Sequence, residues 1–110
     1  MGGMTAQDIK HVSSRMKAAL EIRDRMYRCK RYRSCFVGSH AVRWMISSGL
    51  ASDVAEAEAL GDLLIDHGIF YHVSRRHMFE NAWLFYQFVE DRPHVRKERR
   101  QNILSGGGRG

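Results

Sequence analysis

Proline occurs once in this 110-residue chain, at Pro93, and cysteine twice, at Cys29 and Cys35. Two cysteines cannot make a disulfide framework, so both are read as reduced thiols. No apolar run approaches the roughly 18 residues of a membrane-spanning helix. The start of the chain lacks a basic stretch followed by an apolar block, so no signal peptide is expected. Met1-Gly2-Gly3-Met4-Thr5-Ala6 has the outline of a myristoylation site, but Ala6 stands where Ser or Thr is wanted. Acidic residues are the minority, 12 against 18 Lys and Arg, which leaves a net charge of +6. That surplus favours acidic partners: lipid headgroups, nucleic acid or acidic protein segments. A hydrophobic share of 44% is enough for one compact core at this length.

The charge is unevenly distributed. Arg23, Arg25, Arg28, Lys30, Arg31 and Arg33 lie together, opposed only by Asp24. A second basic group is Arg92, Arg96, Lys97, Arg99 and Arg100. Between them, Asp53, Glu56, Glu58, Asp62 and Asp66 form an acidic segment without a Lys or Arg. The expected molecule is electrically bipolar.

Periodicity places the elements. Ile9, Val12, Met16, Ala19, Leu20 and Arg23 trace a helical stripe, apolar until its last member, widened by Ile22 and Met26. Thr5 and Asp8 are available to cap its start. Tyr27, Cys29, Tyr32 and Phe36 then alternate loosely with cations. This predicts two short strands joined by a tight loop near Lys30 and Arg31. Ser39 is expected to cap a second helix running to about Ser48, after a turn at Gly38 and with Gly49 as its stop. A third helix is expected from Ser52 or Asp53, with Glu56 as in a capping box. Val54, Ala57, Leu60, Gly61 and Leu64 form its inner face. Gly61 costs about 1 kcal/mol against Ala inside a helix, which predicts a close helix contact there. Gly68 ends the helix. Ile69 to Val73 and Trp83 to Val89 read as strands, the latter with Leu84, Tyr86 and Phe88 on one face. The expected core is Val42, Met45, Ile46, Leu60, Leu64 and Phe88. The expected domain is 5–91, closed by Pro93, and 92–110 reads as a basic, Gly-rich disordered tail.

The run Phe36-Val37-Gly38-Ser39-His40-Ala41-Val42-Arg43-Trp44-Met45 carries an aromatic-x-Gly-Ser-x-x-Val-x-Trp-hydrophobic pattern. It resembles the signature of the DEP domain, named for Dishevelled, Egl-10 and pleckstrin. The resemblance continues through Ala57-x-x-Leu60-Gly61-x-x-Leu64 and Asp66-His67-Gly68-Ile69-Phe70-Tyr71-His72-Val73-Ser74. It closes on Phe79-Glu80-Asn81-Ala82-Trp83-Leu84-Phe85-Tyr86-Gln87-Phe88. Four ordered pieces at this spacing are specific. The signature core positions would be Phe36, Gly38, Val42, Trp44, Leu60, Leu64, Gly68, Phe79 and Phe88. The resemblance implies an α+β fold: a winged-helix-like three-helix bundle, short C-terminal strands, and a protruding β-hairpin arm between the first and second helices.

Catalytic chemistry is hard to find. Cys29, Cys35, His40, His67, His72 and His77 are not spaced as metal ligands. Cys35 beside a cationic arm invites a lowered thiol pKa, but no base or orienting acid accompanies it. Gly106-Gly107-Gly108 precedes no helix, so no phosphate loop is present. No cofactor is expected.

The basic arm is the candidate site: Arg25, Arg28, Lys30, Arg31 and Arg33, with Arg96, Lys97, Arg99 and Arg100 as a secondary patch. Solvated charge is the plain alternative. The interleaved aromatics and the projecting hairpin favour an interfacial role. The resemblance implies a non-catalytic signalling module at the cytoplasmic surface of a membrane. It would recruit its host to anionic phospholipid headgroups or to acidic segments of receptors and regulatory proteins. The second reading is a winged-helix nucleic-acid binder. The acidic third helix opposes it, because a recognition helix must approach phosphates.

Overall fold

Thr5 and Asp8 begin the first helix as a reciprocal capping box: the Thr5 hydroxyl accepts the Asp8 amide at 3.1 Å, and the Asp8 carboxylate accepts the Thr5 amide at 3.0 Å. The computed structural model describes residues 4–92. Helix α1 is Ala6–Ala19, followed by strands β1 (Arg23–Tyr27) and β2 (Lys30–Val37). Helices α2 (Gly38–Ser47) and α3 (Val54–Asp66) come next, then β3 (Phe70–His72), β4 (Phe85–Phe88) and a 3-10 turn at Val89–Asp91. The strands form one antiparallel sheet in the order β1-β2-β4-β3. This is the α+β architecture the sequence predicts, with the hairpin arm between the first two helices.

One sheet face packs on the helices. Ile9, Val12 and Met16 of α1, Val42 and Met45 of α2, and Leu64 of α3 meet Phe36, Phe70, Phe79, Tyr86 and Phe88 in one apolar cluster. The opposite face holds a smaller cluster of Cys35, Val37 and Phe85, with Tyr32 and Val73 against it. Alternation along β2 and β4 explains the split, since successive side chains point to opposite faces.

Several local expectations change. The α1 stripe stops at Leu20; Ile22 lies beyond the helix, and Met26 sits in β1 at 67% exposure. Ile46 is at the surface rather than in the core, and Leu60 and Trp44 are only partly buried. Gly68 is no core residue: it is exposed and takes φ +74° just after α3. Ser39 does not cap α2. The helix already includes Gly38, and the amides of Gly38 and Ser39 donate to the carbonyls of Leu84 and Ala82 at 2.8 and 2.9 Å. Nor does Gly38 take a left-handed turn. A Cβ there would stand 2.5 Å from the Glu80 carbonyl and 2.9 Å from Tyr86 Cε1. Glycine is needed because the segment before β4 lies directly on the start of α2. Gly61 likewise faces the Phe79 ring rather than another helix.

Candidate functional site

Two residues make the arm's turn, Arg28 and Cys29, both left-handed at φ 50° and 64°. This is the primed-turn geometry that matches the strand twist. The turn therefore lies two residues before the expected loop, and Lys30 and Arg31 belong to β2. Register pairs Tyr27 with Lys30, Met26 with Arg31 and Arg25 with Tyr32. Nearer the body the pairing shifts, so that Arg23 faces Cys35. The extra residue falls at Arg33–Ser34, and Ser34 takes φ 47°. This bulge puts Tyr32 and Cys35 on the same face.

The Asp24 carboxylate holds the bulge. It accepts the Ser34 amide at 3.0 Å and an Arg31 guanidinium N–H at 2.9 Å. These bonds, the backbone one first, hold its pKa below the ordinary carboxylate value. Arg25 lies at the root. It is 6% exposed, and its guanidinium donates to the carbonyls of Cys35 at 3.3 Å and Glu21 at 3.0 Å. Arg25 is therefore an internal strut, not an arm cation. Arg28, Lys30 and Arg33 remain exposed, and Arg31 is exposed but ion-paired. Arg28 sits 5.3 Å from the centroid of the Tyr27 ring and Lys30 5.5 Å from that of Tyr32. The arm thus has a face with Tyr27, Lys30 and Tyr32, and another with Asp24, Met26, Arg31 and Arg33. The second basic patch, Arg96 to Arg100, lies outside the described residues.

A cleft of about 240 Å³ opens between the arm and the β3–β4 connection. Its wall includes Tyr27, Tyr32, Trp83, Phe85, Arg76 and His77. The buried His72 reaches it from β3. Its Nδ1 accepts the amides of Ser74 and Arg76 at 3.2 and 3.4 Å, with Ser74 Oγ at 3.0 Å. Because backbone amides only donate, this nitrogen carries no proton. Burial, then the neighbouring His77, holds the His72 pKa below the ordinary imidazole value. Ser74 and His72 are close enough to suggest a nucleophile and base. The nitrogen facing the hydroxyl is, however, already the acceptor that closes the loop. The Cys35 thiol is buried, and burial pushes its pKa up rather than down, against the pull of Arg25. No group of three or more His, Cys, Asp or Glu among the described residues is arranged to hold a metal ion.

Residues 19–88 match the family model described as "Domain found in Dishevelled, Egl-10, and Pleckstrin (DEP)". The chain belongs to the DEP family. This DEP domain is 33% identical over 90 residues to the mouse "Lysosomal cholesterol signaling protein", a match covering 82% of the chain and 10% of the relative. It is 32% identical over 87 residues to the mouse "Phosphatidylinositol 3,4,5-trisphosphate-dependent Rac exchanger 1 protein", covering 78% of the chain and 5% of the relative. The chain thus spans a tenth or less of the length of these relatives. Its fold resembles the solution structure of the DEP domain of human pleckstrin at a TM-score of 0.67 and 15% identity, over 83% of this chain and 84% of that one. The DEP domain is a non-catalytic signalling module.

The basic run points to the hairpin, but it does not reveal that Arg25 is buried. The cleft escapes a linear reading because its walls come from three segments. One signal was available: with Leu84, Tyr86 and Phe88 facing inward, the alternating positions Trp83 and Phe85 must face elsewhere.

Proposed function

We propose that this DEP domain brings its host protein to anionic membrane surfaces through the tip of the basic arm. The supporting observation is that Arg28 and Lys30 beside the turn, and Arg33 further down β2 on the opposite face from Lys30, are all exposed, with Met26 at 67% and Tyr27 at 50% exposure. Cations near an anionic leaflet contribute about 1 kcal/mol each. Three of them give about 3 kcal/mol, weaker than a dissociation constant of about 1 mM. Partial insertion of Met26 adds at most about 2 kcal/mol. The arm alone cannot hold a stable residence. It acts as one half of a coincidence device, with an acidic receptor or regulatory segment, or a neighbouring domain, supplying the other half.

Duplex recognition is disfavoured. Helix α3 carries no Lys or Arg, and its carboxylates hold structure: Glu58 accepts the Asn81 amide at 2.8 Å and Asp62 accepts the Phe79 amide at 2.9 Å. Among the described residues no helix is long and apolar enough to cross a membrane. Peripheral attachment at a cytoplasmic leaflet is the reading that fits. Co-sedimentation at low salt with phosphatidylcholine vesicles, with and without phosphatidylserine, tests it. The triple change Arg28→Glu, Lys30→Glu and Arg33→Glu is expected to abolish serine-lipid-dependent binding without lowering the melting temperature. Binding that survives the triple change, or is missing from the unmodified domain, refutes the membrane role.

A further inference from the structure

The cleft at the base of the arm has aromatic walls, and no carboxylate lines it. Phe85, 6% exposed, is its floor. Three rings stand edge-on to Phe85: Tyr27 at 6.5 Å, Tyr32 at 5.9 Å and Trp83 at 6.1 Å between centroids. Trp83 is 60% exposed and Tyr27 50%, so two large rings stay half in water beside an apolar floor. Small-molecule pockets typically measure about 300–1,000 Å³. At about 240 Å³ this cleft is smaller, with room for a side chain or two. Cations border it: Arg76 is in the wall, and Arg28 and Lys30 lie against the two tyrosine rings. Trp, Tyr and Arg gathered around a recessed apolar floor are the composition of a protein-interface hot spot, which a partner would desolvate.

We propose that this cleft receives a linear acidic segment of a partner protein, which seats one bulky apolar side chain on Phe85. Its flanking carboxylates pair with Arg76, Arg28 and Lys30. The shape favours a peptide over a bilayer. A lipid surface meets the projecting tip of the arm, whereas a recess between the arm and the β3–β4 connection admits a single side chain. The cations Arg76, Arg28 and Lys30 select an acidic segment, the neighbouring Glu80 carboxylate being taken up by the wall residue His77 at 3.0 Å. This site shares Arg28 and Lys30 with the arm's membrane docking, but each site also has anchors of its own. Arg33 lies on the arm face away from the cleft, and Trp83 and Arg76 lie outside the arm.

The experiment uses ¹⁵N-labelled protein and two pools of 12-residue peptides, each a random mixture of Asp, Glu, Gly and Ser around one fixed central position. That position is an equal mixture of Trp, Phe and Leu in the first pool and Ala in the second. The first pool is expected to move the Trp83 indole N–H signal and the amides of residues 72–77, and to bind at least tenfold more tightly than the alanine pool. Trp83→Ala is expected to weaken binding at least tenfold and Arg76→Glu at least fivefold. Both positions are exposed, so the melts should hold, and Arg33→Glu should leave peptide binding unchanged. Equal binding of the two pools, or absence of binding, overturns the proposal. So do shifts confined to residues 28–31, or binding unaffected by Trp83→Ala. Loss of vesicle sedimentation in Trp83→Ala with peptide binding intact would assign the cleft to lipid, and the proposal would also fall.

Discussion

Replacing Gly61 by alanine sets two effects of opposite sign against each other. Gly61 lies well inside α3, where alanine gains about 1 kcal/mol in helix propensity. Propensity alone therefore expects a more stable protein. The structure expects the reverse. The added Cβ would lie 2.6 Å from Phe79 Cε2 and closer still to Cγ and Cδ2, inside the ring's van der Waals envelope. Phe79 has nowhere to retreat. It is 2% exposed, packs against Phe70 at 5.5 Å and Tyr86 at 5.3 Å, and its amide is held by Asp62. Overpacking a filled core costs about 1–3 kcal/mol, and full expulsion of the ring approaches the roughly 3–5 kcal/mol of a Phe→Ala change. After the propensity gain, overpacking leaves a net loss of about 0–2 kcal/mol and ring expulsion about 2–4 kcal/mol; a Cβ this deep inside the ring points to about 2 kcal/mol, which lowers the melting temperature by at least about 8 °C in a domain of this size. Urea and thermal melts of Gly61→Ala, Phe79→Ala and the double variant check this. In the Phe79→Ala background, Gly61→Ala should be neutral or stabilising by up to about 1 kcal/mol, because the obstructing ring is gone. A wild-type background stabilised by Gly61→Ala, or an equal penalty in both backgrounds, refutes the steric argument.

Leu64→Ala, at a fully buried site, is expected to cost about 2–5 kcal/mol. The same change at Ile46, 36% exposed, should stay near about 0.5 kcal/mol in a urea titration. Tyr86→Phe removes a hydroxyl that donates to the Met78 carbonyl at 2.5 Å and accepts the Glu80 amide at 3.1 Å; about 1–3 kcal/mol should be lost. Burial pushes the Tyr86 phenol up to about 12, so native stability should fall as pH rises above 10 towards that value, and Tyr86→Phe should flatten the alkaline limb. His72, held below its ordinary value of 6.5, stays neutral in the fold while the unfolded chain takes up a proton. Stability should therefore decline as pH falls from about 6.5 through the folded pKa, and His72→Asn should show a shallower decline in pH-dependent melts. An unchanged slope would remove His72 from the account.

Local rules read the helices well where the cause is local. Thr5 with Asp8, Asp53 with Glu56, and Gly49 and Gly68 all appear at the ends expected of them. They misread positions whose cause is distant. Ser39 is a good cap by composition, yet the carbonyls of Ala82 and Leu84 hold the first α2 amides. Gly38 and Gly61 are glycines because of Tyr86, Glu80 and Phe79. The arm's turn falls on Arg28 and Cys29, neither a turn-forming residue. Left-handed backbone at such residues costs on the order of 1–3 kcal/mol each, so no composition signal marked the place. Arg25 differs from its neighbours only through strand alternation and the bulge beyond it.

The sheet order also has a consequence for how the protein comes into being. β4 lies between β2 and β3, yet it is the last strand in the chain. While the polypeptide emerges, the arm can close locally, but Phe36 and Val37 lack their neighbours until Tyr86 and Phe85 arrive. The first amides of α2 lack acceptors over the same interval. Closure of this distant pair must come before the two halves reward each other, which slows folding relative to a purely helical domain of this length. The signature segment at 36–45 thus waits, incomplete and adhesive, for a partner synthesised some forty residues later.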